Sequence, residues 1–229
     1  MARDDKNSAP FLISGGGIGG LVAAFALARQ GFAVRVFEQS PEFREVGAGI
    51  QLGPNIFRVL DKIGLKDAVL ADAHRPPAQE MRDALTGKLI TQVPLGPAFF
   101  ERFGQPYAVT HRADIHGTFL KACQGSPLIT LETSRRVDGF EQHADHVTVT
   151  LEGGERVEGR ALIGCDGMWS GIRERIVGER QAAGVRSHRL SRRAQALRGA
   201  GGSVAARRGV VGRPAHSFRA LSAAPGRTL

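Results

Sequence analysis

Three glycines, Gly15, Gly17 and Gly20, constrain this chain more than any other feature. They lie in Pro10 to Glu38, PFLISGGGIGGLVAAFALARQGFAVRVFE, in G-x-G-x-x-G register. Phe11 to Ser14 is a short apolar run, suited to a buried parallel strand. Gly15 makes the tight exit from that strand. Gly17 removes a side chain where a pyrophosphate approaches the backbone, and Gly20 lets the next helix lie close on the sheet. That helix is expected from Ile18 to Gln30, with Gly31 as its stop. Its first N–H groups lack partners and face an anion. Ala33 to Phe37 reads as the second strand, and Glu38 follows it, 18 residues beyond Gly20. A carboxylate there can accept both hydroxyls of an adenosine ribose and disfavours a 2′-phosphate. The pattern therefore points to FAD or NAD rather than NADP.

The rest of the first 178 residues reads as an excursion from that βαβ unit. Residues 42–55, EFREVGAGIQLGPN, are expected to form a loop, followed by helices from Asn55 to Ile63 and Leu65 to Leu70. Gln79 to Leu85 and Lys88 to Val93 read as a hairpin around Thr86-Gly87. Pro97 to Phe103 reads as a short helix, Tyr107 to Thr110 as a strand, and Arg112 to Gln124 as a helix. Strands are expected at Leu128 to Glu132, Arg136 to Gln142, His146 to Glu152 and Glu155 to Glu158. Ala161 to Cys165 then returns to the first sheet, Asp166-Gly167 turns, and Ser170 to Val177 begins a helix. The expected fold is α/β: a Rossmann-like dinucleotide-binding domain with inserted antiparallel strands. That insertion favours FAD over NAD, because a simple NAD domain continues βαβ without a hairpin sheet.

Charge divides the chain at residue 178. Residues 1–178 carry 20 Lys and Arg against 21 Asp and Glu; residues 179–229 carry 11 Arg, no Lys and one acid, Glu179. The last 51 residues thus carry a net +10 and the first 178 a net −1, so all the basic character of the +9 total belongs to the tail. Cys123 and Cys165 offer neither a disulfide framework nor metal spacing. The polar start, MARDDKNSAP, is not a signal peptide, and no apolar run approaches membrane-spanning length, so a cytoplasmic location is expected.

Five stretches resemble the FAD-dependent aromatic-ring monooxygenases, in that family's order: ISGGGIGGL, VFEQS, VGAGIQLGPN, HRADIH and ALIGCDGMWSGIR. The resemblance covers about residues 10–178. It implies that Gly15, Gly17, Ile18 and Gly20 hold the FAD pyrophosphate and that Glu38 takes the ribose, with Gln39 nearby. Ala48, in the loop to Gln51, would lie near the flavin. Arg112 would lie near the phosphates and ribityl chain; the plainer alternative is a helix-start arginine on a solvated face. Asp166 and Gly167 would touch the pyrophosphate and serve the nicotinamide donor, or else form an ordinary turn after a strand. Val137 would contact the adenine through its backbone, or be a common strand valine. His111 and His116 are expected to be structural or exposed, and Met168 and Trp169 to pack. The implied activity is hydroxylation of a phenolic aromatic acid in aromatic catabolism, with NADH or NADPH as electron donor and dioxygen as oxygen source. The family's substrate-site residues and its second flavin motif, of Gly-Asp-Ala type, lie beyond the matching stretches, so no catalytic residue is assigned.

The family pattern stops near Gly178-Glu179. Arg, Ala and Gly supply 11, 11 and 7 of the last 51 residues, as in a GC-rich gene read out of frame. Back-translating Val185 to Ala194 and reading one nucleotide downstream permits Ser-Gly-His-Ile-Ala-Tyr-Arg-Ala-Val. The same shift over Pro214 to Ala223 permits Pro-His-Thr-His-Phe-Val-His-Tyr-Pro. Both strings resemble the family's following sheet, so a one-nucleotide insertion near Glu179 is expected. The division is then an incomplete FAD-binding domain, 1–178, and a frameshifted, disordered tail, 179–229, which leaves the enzyme inactive. Two other readings stay open: a dinucleotide module whose basic tail binds phosphates, and an NAD-linked oxidoreductase. Against a nucleic-acid role, the tail has no Lys, no interleaved aromatics and no periodic motif.

Overall fold

The computed structural model describes residues 9–45 and 47–178. The expected disorder of residues 179–229 lies outside them. In order, the elements are β1 (Phe11–Ser14), α1 (Ile18–Arg29), β2 (Val34–Phe37), β3 (Gly49–Leu52), α2 (Pro54–Ile63), α3 (Lys66–Ala71), β4 (Ala78–Arg82) and β5 (Leu89–Pro94). There follow α4 (Pro97–Phe103), β6 (Ala108–His111), α5 (Arg112–Gln124), β7 (Ile129–Glu132), β8 (Val137–Gln142), β9 (Val147–Leu151), β10 (Arg156–Gly159), β11 (Ala161–Gly164) and α6 (Gly171–Val177).

The central sheet is parallel, in the order β11-β1-β2-β7. Its inner strands are buried on both faces, which explains why they read as nearly unbroken apolar runs. Alternation decides which residue serves which face. Ile13 and Val36 join a core with Leu21, Ala24, Phe57, Leu60, Ile115 and Phe119, built by α1, α2 and α5. Their neighbours Leu12 and Phe37 point the other way, against Val147, Val149, Leu151 and Val157 of the antiparallel sheet β10-β9-β8. The small residues of α1 let that helix come close: the buried Cys123 thiol on α5 donates to the Leu21 carbonyl at 3.2 Å. Burial pushes that thiol up to about 11, so Cys123 is a packing residue.

The expected βαβ unit, excursion and return are all present. The expected loop at 42–55 is corrected: Gly49–Leu52 is a strand, antiparallel to β6 with Gly49 opposite His111 and Leu52 opposite Ala108. Its partner lies some 60 residues away, and four residues starting with glycine carry little strand signal of their own. The hairpin is shorter on its first arm than the expected Gln79 to Leu85. Asp83 ends β4, because its carboxylate accepts from the N–H groups of Leu85 and Thr86 and from the Thr86 hydroxyl. Those bonds hold its carboxyl below the ordinary value. Among the described residues, no helix is long and apolar enough to cross a membrane.

Phe119 is 2% exposed within the larger core. Phe119→Ala is expected to cost about 3–5 kcal/mol of stability through lost burial and an unfilled cavity, measured by urea unfolding of the full chain.

Candidate cofactor-binding site

The site forms where β1, β2 and β11 end together, at the carboxyl edge of the sheet. Gly15 leaves β1 at φ +103°, and an added Cβ would run into the Cys165 carbonyl. At Gly20 an added Cβ would strike the Gly15 carbonyl. Both glycines are therefore demanded by packing. Gly17 is different. Its φ is −72°, open to any residue, and an added Cβ would meet one atom within 4 Å, Glu45 Oε1 at 3.9 Å. Nothing in the protein's own packing requires glycine there. Gly17 is also the N-cap of α1, which starts with Leu21 N–H donating to the Gly17 carbonyl. No side chain caps this helix, and its first turn holds no acid. Ile18 is its first residue, so its N–H is among those turned toward the opening.

Glu38 follows β2 directly. Its Oε2 accepts from Gly16 N–H at 2.8 Å and its Oε1 from Ser40 N–H at 2.9 Å. The carboxylate thus ties the glycine loop to the end of β2 while each oxygen keeps a lone pair for a further donor. Gln39 beside it is exposed. The β7–β8 connector closes this corner: Ser134 N–H donates to the Ser40 carbonyl and Arg135 N–H to the Glu38 carbonyl. Ser134 adopts φ +54°, the left-handed conformation that this double contact requires. Val137 opens β8, and its half-buried side chain packs against the Leu12–Phe37 cluster.

Asp166 sits on the other side of the loop, with its backbone N–H beside Gly15. Its Oδ2 accepts from Ile172 N–H at 3.2 Å, whereas its buried Oδ1 has no partner among the described groups. Gly167 continues at φ +80°. Burial first, and then the Asp166 charge, raise the neighbouring Cys165 thiol, so it is no ready nucleophile. The expectation that Met168 and Trp169 pack is corrected: they are 68% and 72% exposed. The turn carries them outward, and Ile172 is the residue that buries there.

Arg112 is the first residue of α5. Its N–H donates to the Ala48 carbonyl at 3.0 Å, and its Nη2 to Glu45 Oε1 at 3.1 Å. Ala48 itself is exposed. The segment before it lies across the glycine loop: the Phe43 ring stands where a Cβ on Gly16 would go, and His111 stands against Gly47. Phe43, Glu45, His116 and Leu120 help line a cavity of about 410 Å³ beside it. His116 is structural, as expected: it is buried, and its Nε2 meets the Gly16 carbonyl at 2.9 Å. His111 caps α5, its Nδ1 accepting from Ala113 N–H. Phe43, Glu45 and Ser134 carry no motif that would mark them. Their place depends on contacts across the loop and the sheet. Among the described residues, no group of His, Cys, Asp or Glu could hold a metal ion.

The residues of this site fit an adenine dinucleotide. An uncapped helix N-terminus and a glycine that the protein's own packing does not require stand together at the end of β1, and beside them Asp166 keeps a buried carboxylate oxygen without a donor among the described groups. Comparison with known proteins agrees. The FAD binding domain family matches residues 8–197, which runs past the 178 boundary. A 3-hydroxybenzoate 6-hydroxylase of Polaromonas naphthalenivorans is 45% identical over 185 residues, 81% of this chain and 46% of that protein. A 6-hydroxynicotinate 3-monooxygenase of Pseudomonas fluorescens is 35% identical over 179 residues, 77% of this chain and 46% of that protein. Among solved structures, a Klebsiella pneumoniae HpxO variant in complex with FAD has a TM-score of 0.65 and 29% identity, covering 75% of this chain and 43% of that one. The chain spans a little under half the length of the curated relatives it matches.

Gly17 and Gly20 should separate in a stability assay. Gly20→Ala is expected to lose about 1–3 kcal/mol or more by overpacking, seen as a lower urea midpoint. Gly17→Ala should stay within about 1 kcal/mol of the parent yet bind FAD at least about tenfold more weakly by fluorescence titration. Glu38→Ala should lower stability and FAD affinity together, by about 1–3 kcal/mol each, because two backbone donors lose their acceptor.

Proposed function

Because this chain belongs to the FAD binding domain family, we propose that residues 9–178 are the cofactor-holding part of a monooxygenase that hydroxylates a phenolic aromatic acid. The observation that carries this reading is the glycine loop, with Gly17 open to a ligand and Glu38 and Asp166 on either side. FAD supplies the redox and dioxygen chemistry; NADH or NADPH supplies the electrons, and dioxygen the inserted atom. In this reading Gly15, Gly17, Ile18 and Gly20 cradle the pyrophosphate at the α1 N-terminus. Glu38 accepts from ribose hydroxyls with its remaining lone pairs, with Gln39 at the open rim. Val137 offers its backbone to the adenine, and Ala48 borders the flavin. Arg112 contributes positive charge toward the phosphates. Asp166 and Gly167, beside the Gly15 turn, border the pyrophosphate and serve the nicotinamide donor. The similarity to 3-hydroxybenzoate and 6-hydroxynicotinate hydroxylases favours a hydroxylated ring acid as substrate.

The reading also includes a frame break in the gene near Glu179, supported by the change of composition there and by the two family-like strings in the shifted frame. The family match reaches residue 197, so the DNA to be sequenced runs across codons 178–197. Deleting one nucleotide should lengthen the open reading frame and yield a protein that oxidises NADH faster with 3-hydroxybenzoate present. A stop codon soon after the repair would refute the frame break. The chain as it stands should bind FAD more tightly than riboflavin phosphate, read by quenching of flavin fluorescence. Equal affinity for the two would remove the adenosine role of Glu38, and binding of neither would remove the flavin reading.

A further inference from the structure

The glycine loop has a carboxylate from another segment beside it. Residues 43–45 cross its open side, with Phe43 over Gly16 and Glu45 over Gly17. Glu45 Oε1 is the one described atom within 4 Å of where a Gly17 side chain would begin, which is also the path by which a phosphate would reach the backbone. The same oxygen accepts from Arg112 Nη2 at 3.1 Å. Helix α1 has no acid in its first turn and no side-chain cap, so Glu45 brings from the loop the negative charge that this helix end attracts.

We propose that Glu45 is a built-in stand-in for the cofactor's pyrophosphate, holding Arg112 until a dinucleotide displaces it, and so sets how tightly the site takes its cofactor. This rests on the reading of the glycine loop as the pyrophosphate site. Three observations carry it. The carboxylate has the charge of a phosphate oxygen; it stands at the N-cap of the helix that would receive one; and it is bonded to the Arg112 guanidinium. A pyrophosphate arriving there meets a like charge at short range and must draw Arg112 away from its partner. The Arg112 side chain is 44% exposed and Glu45 21% exposed, so the pair can part without opening the core.

The test compares the full 229-residue chain with Glu45→Gln, which keeps the shape and removes the charge. Binding is followed by calorimetry with three probes: FAD, ADP and riboflavin. Glu45→Gln is expected to bind FAD and ADP about tenfold more tightly than the parent and riboflavin no better, since riboflavin carries no phosphate. Raising the salt should shrink the gain. Glu45→Ala should change affinity in the same direction, and thermal melts without ligand show whether each variant is folded. A parent that binds FAD while neither variant binds it more tightly would overturn this inference and leave the flavin reading standing. An equal gain for riboflavin would also overturn it, by pointing to general loosening of the loop. A parent and variants that all bind neither FAD nor ADP would overturn the flavin reading and this inference together.

Discussion

The structure depends on the contact of three backbone segments at one point. The Gly20 backbone lies against the Gly15 carbonyl, and Gly15 lies against the Cys165 carbonyl. No side chain fits between them. This contact brings the start of α1, the end of β1 and the end of β11 to a common corner, and it aims the helix N-terminus across the sheet's carboxyl edge. The first N–H groups of α1 have no preceding turn to supply their acceptors, and that end of the helix is where an anion gains most from them. Close packing and ligand binding are thus two results of one constraint.

Around that corner, polar side chains act mainly as spacers with defined reach. Glu38 spans from β2 to the glycine loop through two backbone N–H bonds, and His116 reaches the same loop from α5 through the Gly16 carbonyl. The protein's own contacts therefore hold the loop from both sides. Such support limits the ordering cost that binding must overcome. The β7–β8 connector adds a third hold, through Ser134 and Arg135, and here the left-handed Ser134 is tolerated because two backbone bonds reward it.

The sheet divides its labour by parity. Leu12 and Phe37 serve the antiparallel layer, while Ile13 and Val36 serve the helical one. Shifting a strand by one residue would exchange the two faces, so register is strongly specified and the glycine loop inherits a fixed position. The pairing of β3 with β6 helps place the segment before β3, where Phe43 stands over Gly16 and Glu45 near Gly17 although neither carries a helix or strand signal.

The sequence by itself determined the βαβ unit, the glycine spacing, the acid after β2, the return strand and the Asp-Gly turn. Each is a local pattern whose physics acts over a few residues: apolar alternation, helix capping, or a backbone angle only glycine adopts freely. It also separated residues 1–178 from a tail of quite different composition. Only the tertiary structure decided which carbonyls Gly15 and Gly20 pack against, that Gly49–Leu52 is a strand, and that Met168 and Trp169 face solvent. It alone paired Glu45 with Arg112, 67 residues apart, over the loop. Those outcomes turn on which distant segments meet, and contact between residues far apart in the chain leaves no periodic mark in either segment.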